Sequence, residues 1–231
     1  AWYFSERVAT RPGERVLVAS DVTFDLTQKS ILGTLAYGGT VVLPNGPVTD
    51  TAAVHDAILH HRPTRISCAP SALRAYDLPC TGSSLQTVVL GGESIDAALC
   101  ERIRSCGLTL VNSYGPTECA DISASFIARP DDVDAWRLLP LPIGAPIQGA
   151  RLYLLDDQFE PVPQGAIGEI HIAGTGVGLG YVGQPGLTAA RFVPDPFGPP
   201  GARMYRTGDL AFELPGSLFV YRGRRDEQVK L

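Results

Sequence analysis

Asn112-Ser-Tyr-Gly-Pro-Thr-Glu118 gathers an aromatic ring, a hydroxyl and a carboxylate within seven residues. Tyr114 can present a flat face to a base. Gly115-Pro116 forces a turn that re-aims the next two side chains. Thr117 offers a hydroxyl to a phosphate, and Glu118 the hard oxygen that Mg²⁺ prefers. A YGP turn alone is an ordinary strand–turn–helix connection; all seven residues in this order are far more specific. Tyr205-Arg-Thr-Gly-Asp209 reads as a tight turn flanked by strands, and Asp209 can accept two hydroxyls of a ribose. Taken singly, an aspartate in a β-turn is common. Phe24-Asp-Leu-Thr27 puts Asp25 in a loop or at a helix start, where capping is the plain reading. Gly223-Arg-Arg-Asp-Glu-Gln-Val-Lys230, taken alone, reads as a solvated edge or linker.

Other catalytic patterns fail. Gly174-Thr-Gly-Val-Gly-Leu-Gly180 suggests a dinucleotide fold, but the spacing needs glycine at 179, where Leu179 stands. There is no G-x-S-x-G elbow, no H-E-x-x-H and no G-x-x-x-x-G-K-[ST]. His55, His60, His61 and His171 are scattered, which suits surface or packing roles. The five cysteines, Cys68, Cys80, Cys100, Cys106 and Cys119, form no C-x-x-C and no zinc spacing. They read as small buried side chains in a reducing cytoplasm.

The elements that must position these strings are legible in outline. Val16–Ala19, Thr40–Pro44, Arg65–Cys68, Thr87–Leu90 and Leu108–Asn112 are short runs, apolar on both faces, as in covered parallel strands. Between them, Val54, Ala57, Ile58 and His61 make a helical stripe after the N-caps Thr49 and Asp50, stopped by Pro63. Ile95, Ala98, Leu99 and Ile103 make a second stripe after Ser94, with Gly107 as its C′ residue. From about Pro130, strand-like pieces alternate with turns. Ala150–Leu155 and Glu169–Ala173 read as an antiparallel hairpin with a long loop, Ser217–Tyr221 as a strand, and Pro185–Phe192 as a short helix. The expected fold class is α/β: a layered sheet flanked by helices over residues 1–129, then a β-rich, distorted barrel-like subdomain over 130–222, with 223–231 as a hinge.

The whole chain is 231 residues, 45 % hydrophobic and 19 % charged, which can bury a sizeable core and excludes disorder as the main reading. A net charge of −5 argues against a broad basic face for nucleic acid. The apolar stretch from Ile31 to Leu43 is cut by Gly33, Gly38 and Gly39 and is too short to span a membrane. No signal peptide is visible in AWYFSERVA, and both ends stop abruptly in mid-pattern, as in a fragment.

Together these strings resemble the adenylation domains of non-ribosomal peptide synthetases, within the wider adenylate-forming family. FDLT, NSYGPTE, LPIGAPIQGARLYLLD, GEIHIAGTGVGLGY, LTAARFVPDPFGPPGARMYRTGDL and GRRDEQVKL stand in that family's order. The chain would then be part of the large N-terminal domain of such an enzyme. The resemblance implies that ATP and an amino acid give aminoacyl-AMP and pyrophosphate, followed by transfer to a phosphopantetheine thiol of a carrier domain. It implies ATP and Mg²⁺ as cofactors, and carrier and condensation domains as partners, in the cytoplasm with neither nucleic acid nor membrane.

Position by position, the resemblance assigns the substrate ammonium to Asp25 and adenine stacking to Tyr114. The Gly91–Gly92 backbone, Asn112 and Gly115 would lie near that nucleotide. Thr117 would touch phosphate and Glu118 hold Mg²⁺, the two catalytic residues. Asp209 would bind the ribose, with Tyr221 and Arg224 close by, and Asp226 would be the hinge, followed by Lys230. The side-chain pocket would be lined by Asp25, Leu26, Lys29, Ser67, Val89, Gly91, Ser113, Asp121 and Ile122. Lys29 and Asp121 there favour a polar or charged amino acid, because buried charges are normally paired. A buried ammonium needs a carboxylate partner, which is why Asp25 favours an amino acid over a free acid. The alternatives are an acyl- or aryl-acid CoA ligase of the same superfamily, or a non-catalytic nucleotide-binding module. The family's phosphate loop and terminal lysine domain are missing, so the 231 residues alone are expected to be inactive. Leu179 stands where the family usually has arginine.

Overall fold

The short apolar runs of the first half form strands, in a computed structural model that describes residues 12–138 and 140–225. The expected hinge Asp226, and Lys230, lie outside the described residues. The strands are β1 (Arg15–Val18), β2 (Thr40–Val42), β3 (Arg65–Cys68), β4 (Thr87–Gly91) and β5 (Thr109–Tyr114). β1 pairs in parallel with β2 and β3, and β3 with β4. Two further strands, β6 (Ala124–Ala128) and β7 (Ala145–Pro146), complete the order β2-β1-β3-β4-β5-β6-β7. Neither was expected from the sequence.

The helices follow their local chemistry. α2 (Thr51–His60) begins as its cap predicts: the Asp50 carboxylate accepts from the Ala52 and Ala53 amides. Val54, Ala57 and Ile58 form its buried stripe. α4 (Ala97–Ser105) is capped by Asp96 rather than Ser94. Its buried stripe is Leu99, Cys100 and Ile103; Ile95 lies before the helix and Ala98 faces out. Gly107, at φ +68°, closes it, with its own amide donating to Arg104 and the Leu108 amide to Ile103. Three helices were not foreseen, one of them, α5 (Val133–Arg137), in the second half. α3 (Pro70–Ala75) is short. α1 (Asp25–Ala36) buries Leu26, Thr27, Ser30 and Thr34 while Leu32 and Leu35 face outward. That inversion of the usual pattern hides it from a periodicity argument. Ser30 and Thr34 satisfy their buried hydroxyls by donating to the Leu26 and Ser30 carbonyls, one turn back.

The second half is antiparallel, as expected. β8 (Ala150–Leu155) and β9 (Gly168–Gly174) form the long-looped hairpin, in register from Ala150↔Gly174 to Leu155↔Glu169. After α5 (Val133–Arg137) and α6 (Pro185–Arg191) come β10 (Phe192–Pro194), β11 (Arg203–Leu214) and β12 (Leu218–Arg224). The sheet runs β10-β11-β9-β8, with β12 on β11. Its core includes Ile143, Leu152, Leu154, Ile170, Ile172, Phe192 and Phe219.

The backbone clusters into two units: unit 1 is Ala1–Asn112 with Ile127–Leu141, and unit 2 is Ser113–Phe126 with Pro142–Leu231. The expected boundary at 129/130 is therefore replaced by three crossings. The segment 113–126, with its Tyr-Gly-Pro-Thr-Glu string, belongs with the β-rich unit. The cysteine expectation is also corrected: Cys68, Cys100 and Cys119 are free and buried, but Cys80 and Cys106 form a disulfide at a sequence separation of 26. Loop closure brings these two together, a relation that residue spacing does not encode.

Candidate active site

In unit 2 the Tyr205–Asp209 segment is not a turn between strands; it is a bulge inside the single strand β11. Arg206 faces His171 and Leu210 faces Glu169, so β11 has extra residues between those two register points. The bulge replaces its lost ladder bonds locally. Thr207 donates its hydroxyl to the Ile170 carbonyl at 2.7 Å, the Gly208 amide reaches Glu169 at 3.1 Å, and the Asp209 amide reaches Thr207 Oγ1 at 2.9 Å. Gly208 takes φ +79°, which glycine adopts without the Cβ penalty.

The result is a buried carboxylate aimed at the start of the Tyr-Gly-Pro-Thr-Glu string. Tyr114 donates its hydroxyl to Asp209 Oδ2 at 2.7 Å. Arg224, on β12, donates to Asp209 Oδ1 at 2.8 Å. Burial, and then the negative charge of Asp209, push the Tyr114 hydroxyl well above its ordinary range, so it stays a proton donor. A carboxylate has about four lone-pair positions, so two donors leave acceptor capacity on Asp209.

Glu118 lies on a 3-10 turn, Thr117–Cys119. Tyr181 donates its hydroxyl to Glu118 Oε1 at 2.6 Å, and the Tyr205 hydroxyl is 3.2 Å from that of Tyr181. The Gly178 amide donates to the Glu118 backbone carbonyl at 2.8 Å. Glycines are needed for this approach: a Cβ at Gly176 would sit 2.8 Å from the Cys119 oxygen, and one at Gly178 3.0 Å from the Glu118 oxygen. At Gly115 a Cβ would fall 2.3 Å from the Asp121 carbonyl oxygen. The turn closes through Ala120 and Asp121 at φ +59° and +71°, a left-handed pair that L-residues rarely adopt. Ser113 and Ile122 are buried beside this turn in sequence, and Thr117 is exposed. Tyr221 lies on β12, three residues before Arg224.

In unit 1, β3 and β4 bring Ser67 and Val89 into register, and Gly91 follows two residues later on the same face. Ser67 is buried, and its hydroxyl has no hydrogen-bond partner among the described residues. Asp25 opens α1, and its Oδ1 accepts from the Leu26 amide at 2.8 Å. The Asp25 carboxylate suits the positive end of the helix dipole, and Lys29 follows it one turn later. Leu26 and Asn112 are buried; Gly92 is exposed at φ +87°. Of the nine expected pocket residues, six fall in unit 1 and three (Ser113, Asp121, Ile122) in unit 2.

The donor set fits Mg²⁺. No cluster of three or more His, Cys, Asp or Glu exists among the described residues to cage a metal. Mg²⁺ does not need one: it is held by one or two carboxylates together with substrate phosphates and water. Glu118 offers one carboxylate of the required kind, half-buried on a turn. Tyr181, Tyr205 and Thr207 were not foreseen in these roles, for the bonds Tyr181–Glu118, Tyr205–Tyr181 and Thr207–Ile170 span 63, 24 and 37 positions. The glycine run 174–180, weighed in the sequence only as a dinucleotide motif, is a signal that could have found Tyr181, because glycines in and beside strands often mark a close backbone approach. No helix among the described residues is long and apolar enough to cross a membrane.

A family profile described as "AMP-binding enzyme" matches residues 1–182. Malpinin synthetase from Mortierella alpina is 37 % identical over 98 % of this chain. Phosphinothricin tripeptide synthetase PhsB from Streptomyces viridochromogenes is 40 % identical over 95 %. This chain spans 3 % and 18 % of their respective lengths. Among solved structures, holo-PA1221, an NRPS protein containing adenylation and PCP domains bound to a vinylsulfonamide inhibitor, superposes with a TM-score of 0.87 at 31 % identity. That superposition covers 96 % of this chain and 39 % of the neighbour.

Proposed function

Because this chain belongs to the AMP-binding enzyme family, we propose that it is the nucleotide- and amino-acid-holding part of an adenylation domain in peptide synthesis. The observation that supports this best is the Tyr114–Asp209 bond, which joins across 95 residues the two strings expected to hold one nucleotide. The similarity to synthetases named for peptide products supports an amino acid as the other substrate.

In the proposed reaction a substrate carboxylate oxygen attacks the α-phosphorus of ATP. The bond from that phosphorus to the bridging oxygen breaks, and pyrophosphate leaves with the electron pair, giving aminoacyl-AMP. A phosphopantetheine thiol of a carrier domain then takes the acyl group and releases AMP. Both reactants are anions, so alignment and charge neutralisation are what the protein must supply. Mg²⁺, when bound, supplies charge stabilisation to the phosphates. Glu118 would hold it, and Thr117 would contact phosphate. Asp209, oriented by Tyr114 and Arg224, would accept the ribose hydroxyls, with Tyr221 beside them. The Tyr114 ring would stack on adenine, with Gly115 next to it in the chain; Gly91, Gly92 and Asn112 are the other residues that the family resemblance assigns to the nucleotide. Asp25 would pair with the substrate ammonium. The unpartnered Ser67 hydroxyl, with Lys29 and Asp121, favours a polar side chain. Carrier and condensation domains as partners, and a cytoplasmic location, follow from the same reading.

ATP–pyrophosphate exchange by the full-length protein, screened across amino acids, tests it. Exchange with a polar amino acid is expected, and Asp25→Ala should abolish it. Strongest exchange with Leu or Phe would overturn the polar pocket. Activation of a free acid that survives Asp25→Ala would favour a CoA ligase, and the absence of any nucleotide binding would leave no enzyme at all.

A further inference from the structure

We infer that Tyr181 is the positioning residue that holds the Glu118 carboxylate ready for its divalent cation. The inference rests on the proposed reading of Glu118 as the Mg²⁺ ligand. Glu118 sits on a three-residue 3-10 turn, and its side chain has three rotatable bonds, so the turn alone does not orient the carboxylate. The Tyr181 hydroxyl does, through the short bond to Oε1 at 2.6 Å. A donor of this kind fixes one oxygen and leaves the carboxylate its negative charge, as outer-shell partners of metal ligands do.

Tyr181 is itself well fixed. Its amide donates to Thr188 Oγ1 at 2.9 Å, in the middle of α6. Its ring meets Phe192 edge-on, with centroids 5.4 Å apart, and its hydroxyl touches that of buried Tyr205. Gly180, just before it, is pressed on the same threonine: a Cβ there would come within 2.4 Å of Thr188 Cγ2. The loop that carries Tyr181 also grips Glu118 by its main chain, through the Gly178 amide. One loop therefore fixes both the backbone and the carboxylate of a single residue. A packing role for the glycine-rich loop explains the backbone contact, but it does not require a hydroxyl at the carboxylate.

The test measures Mn²⁺ binding to the full-length protein, with a non-hydrolysable ATP analogue, by electron paramagnetic resonance. Mg²⁺ dependence of pyrophosphate exchange is measured beside it. Tyr181→Phe keeps the ring and removes the hydroxyl. It should raise the Mn²⁺ dissociation constant and the half-saturating Mg²⁺ about tenfold, with the KM for the amino acid unchanged. In a Glu118→Gln background the same substitution should add nothing, whereas a merely structural role predicts that the two effects multiply. If Glu118→Gln weakens Mn²⁺ binding and Tyr181→Phe does not, the inference fails while the reading of Glu118 stands. If Glu118→Gln binds Mn²⁺ like the wild type, that reading fails and takes the inference with it. Should Tyr181→Phe not fold, Thr188→Ala, which loosens the backbone of Tyr181, must weaken Mn²⁺ binding severalfold, and unchanged binding overturns the inference.

Discussion

Asp209 shows how much one side chain depends on its neighbours. It is 3 % exposed, and its two oxygens are held by Tyr114 and Arg224. Removing one partner of a buried pair costs more than the pair contributes, because the other is left desolvated. Asp209→Asn keeps the shape and removes the charge that Arg224 faces. It should destabilise the chain by about 3 kcal/mol, read from the urea midpoint, and weaken ATP binding in the full-length protein. A stability change below about 0.5 kcal/mol, the level of an ordinary surface substitution, would show that Arg224 is satisfied elsewhere. The polar character of this residue was legible in the sequence. The family resemblance set Arg224 near the same ribose, but the direct bonds of Asp209 to Arg224 on the next strand and to Tyr114, 95 positions upstream, were not legible there.

At the scale of elements, the Tyr-Gly-Pro-Thr-Glu turn is held by absences of side chain. Gly115 has no positive φ; it is needed because the backbone of Asp121 returns against it, with the Ser123 amide donating to the Tyr114 carbonyl at 2.8 Å. Gly115→Ala would put a methyl 2.3 Å from the Asp121 oxygen. Overpacking against backbone costs about 1–3 kcal/mol, so chemical denaturation should show at least that loss. Gly165→Ala, where a Cβ meets nothing within 4 Å, is the comparison for positive φ alone. Equal losses at the two sites would mean that crowding is not what the turn requires of residue 115. α1 makes the complementary point. Its buried face is mostly hydroxyls that bond back to its own carbonyls, so the hydrophobic pattern that reveals α2 is missing from it.

At the scale of the molecule, stability should depend on pH through a buried pair on β9. Burial, against the neighbouring Glu169, lowers the proton affinity of the His171 imidazole. Burial alone would raise the Glu169 carboxyl, but Arg206, His171 and the Gly208 amide outweigh it and hold it below the usual carboxylate range. Both folded-state values are depressed. The stability they carry is therefore full above the unfolded values, about 6.5 for His and about 4.3 for Glu, and is lost as pH falls through the folded ones. The melting temperature should decline below about pH 6.5 and again more steeply below about pH 4.3. His171→Gln, which cannot take up that proton, should flatten the first decline and soften the second, because the imidazolium is one of the groups that hold the Glu169 carboxyl down. An unchanged first decline in that variant would assign it to another group.

What the sequence by itself determined was local. The cap at Asp50, the Gly107 stop and the pairing of β8 with β9 each depend on neighbours a few residues away or on a local hairpin, and each appears where expected. Only the tertiary structure decided that Tyr205–Asp209 bulges inside one strand, that residues 113–126 join the second unit, and that Tyr181 reaches Glu118. Those outcomes turn on pairings between segments far apart in the chain. Such pairings are selected by the packing of whole sheets, and a residue's own type and spacing carry no record of which distant partner it will meet.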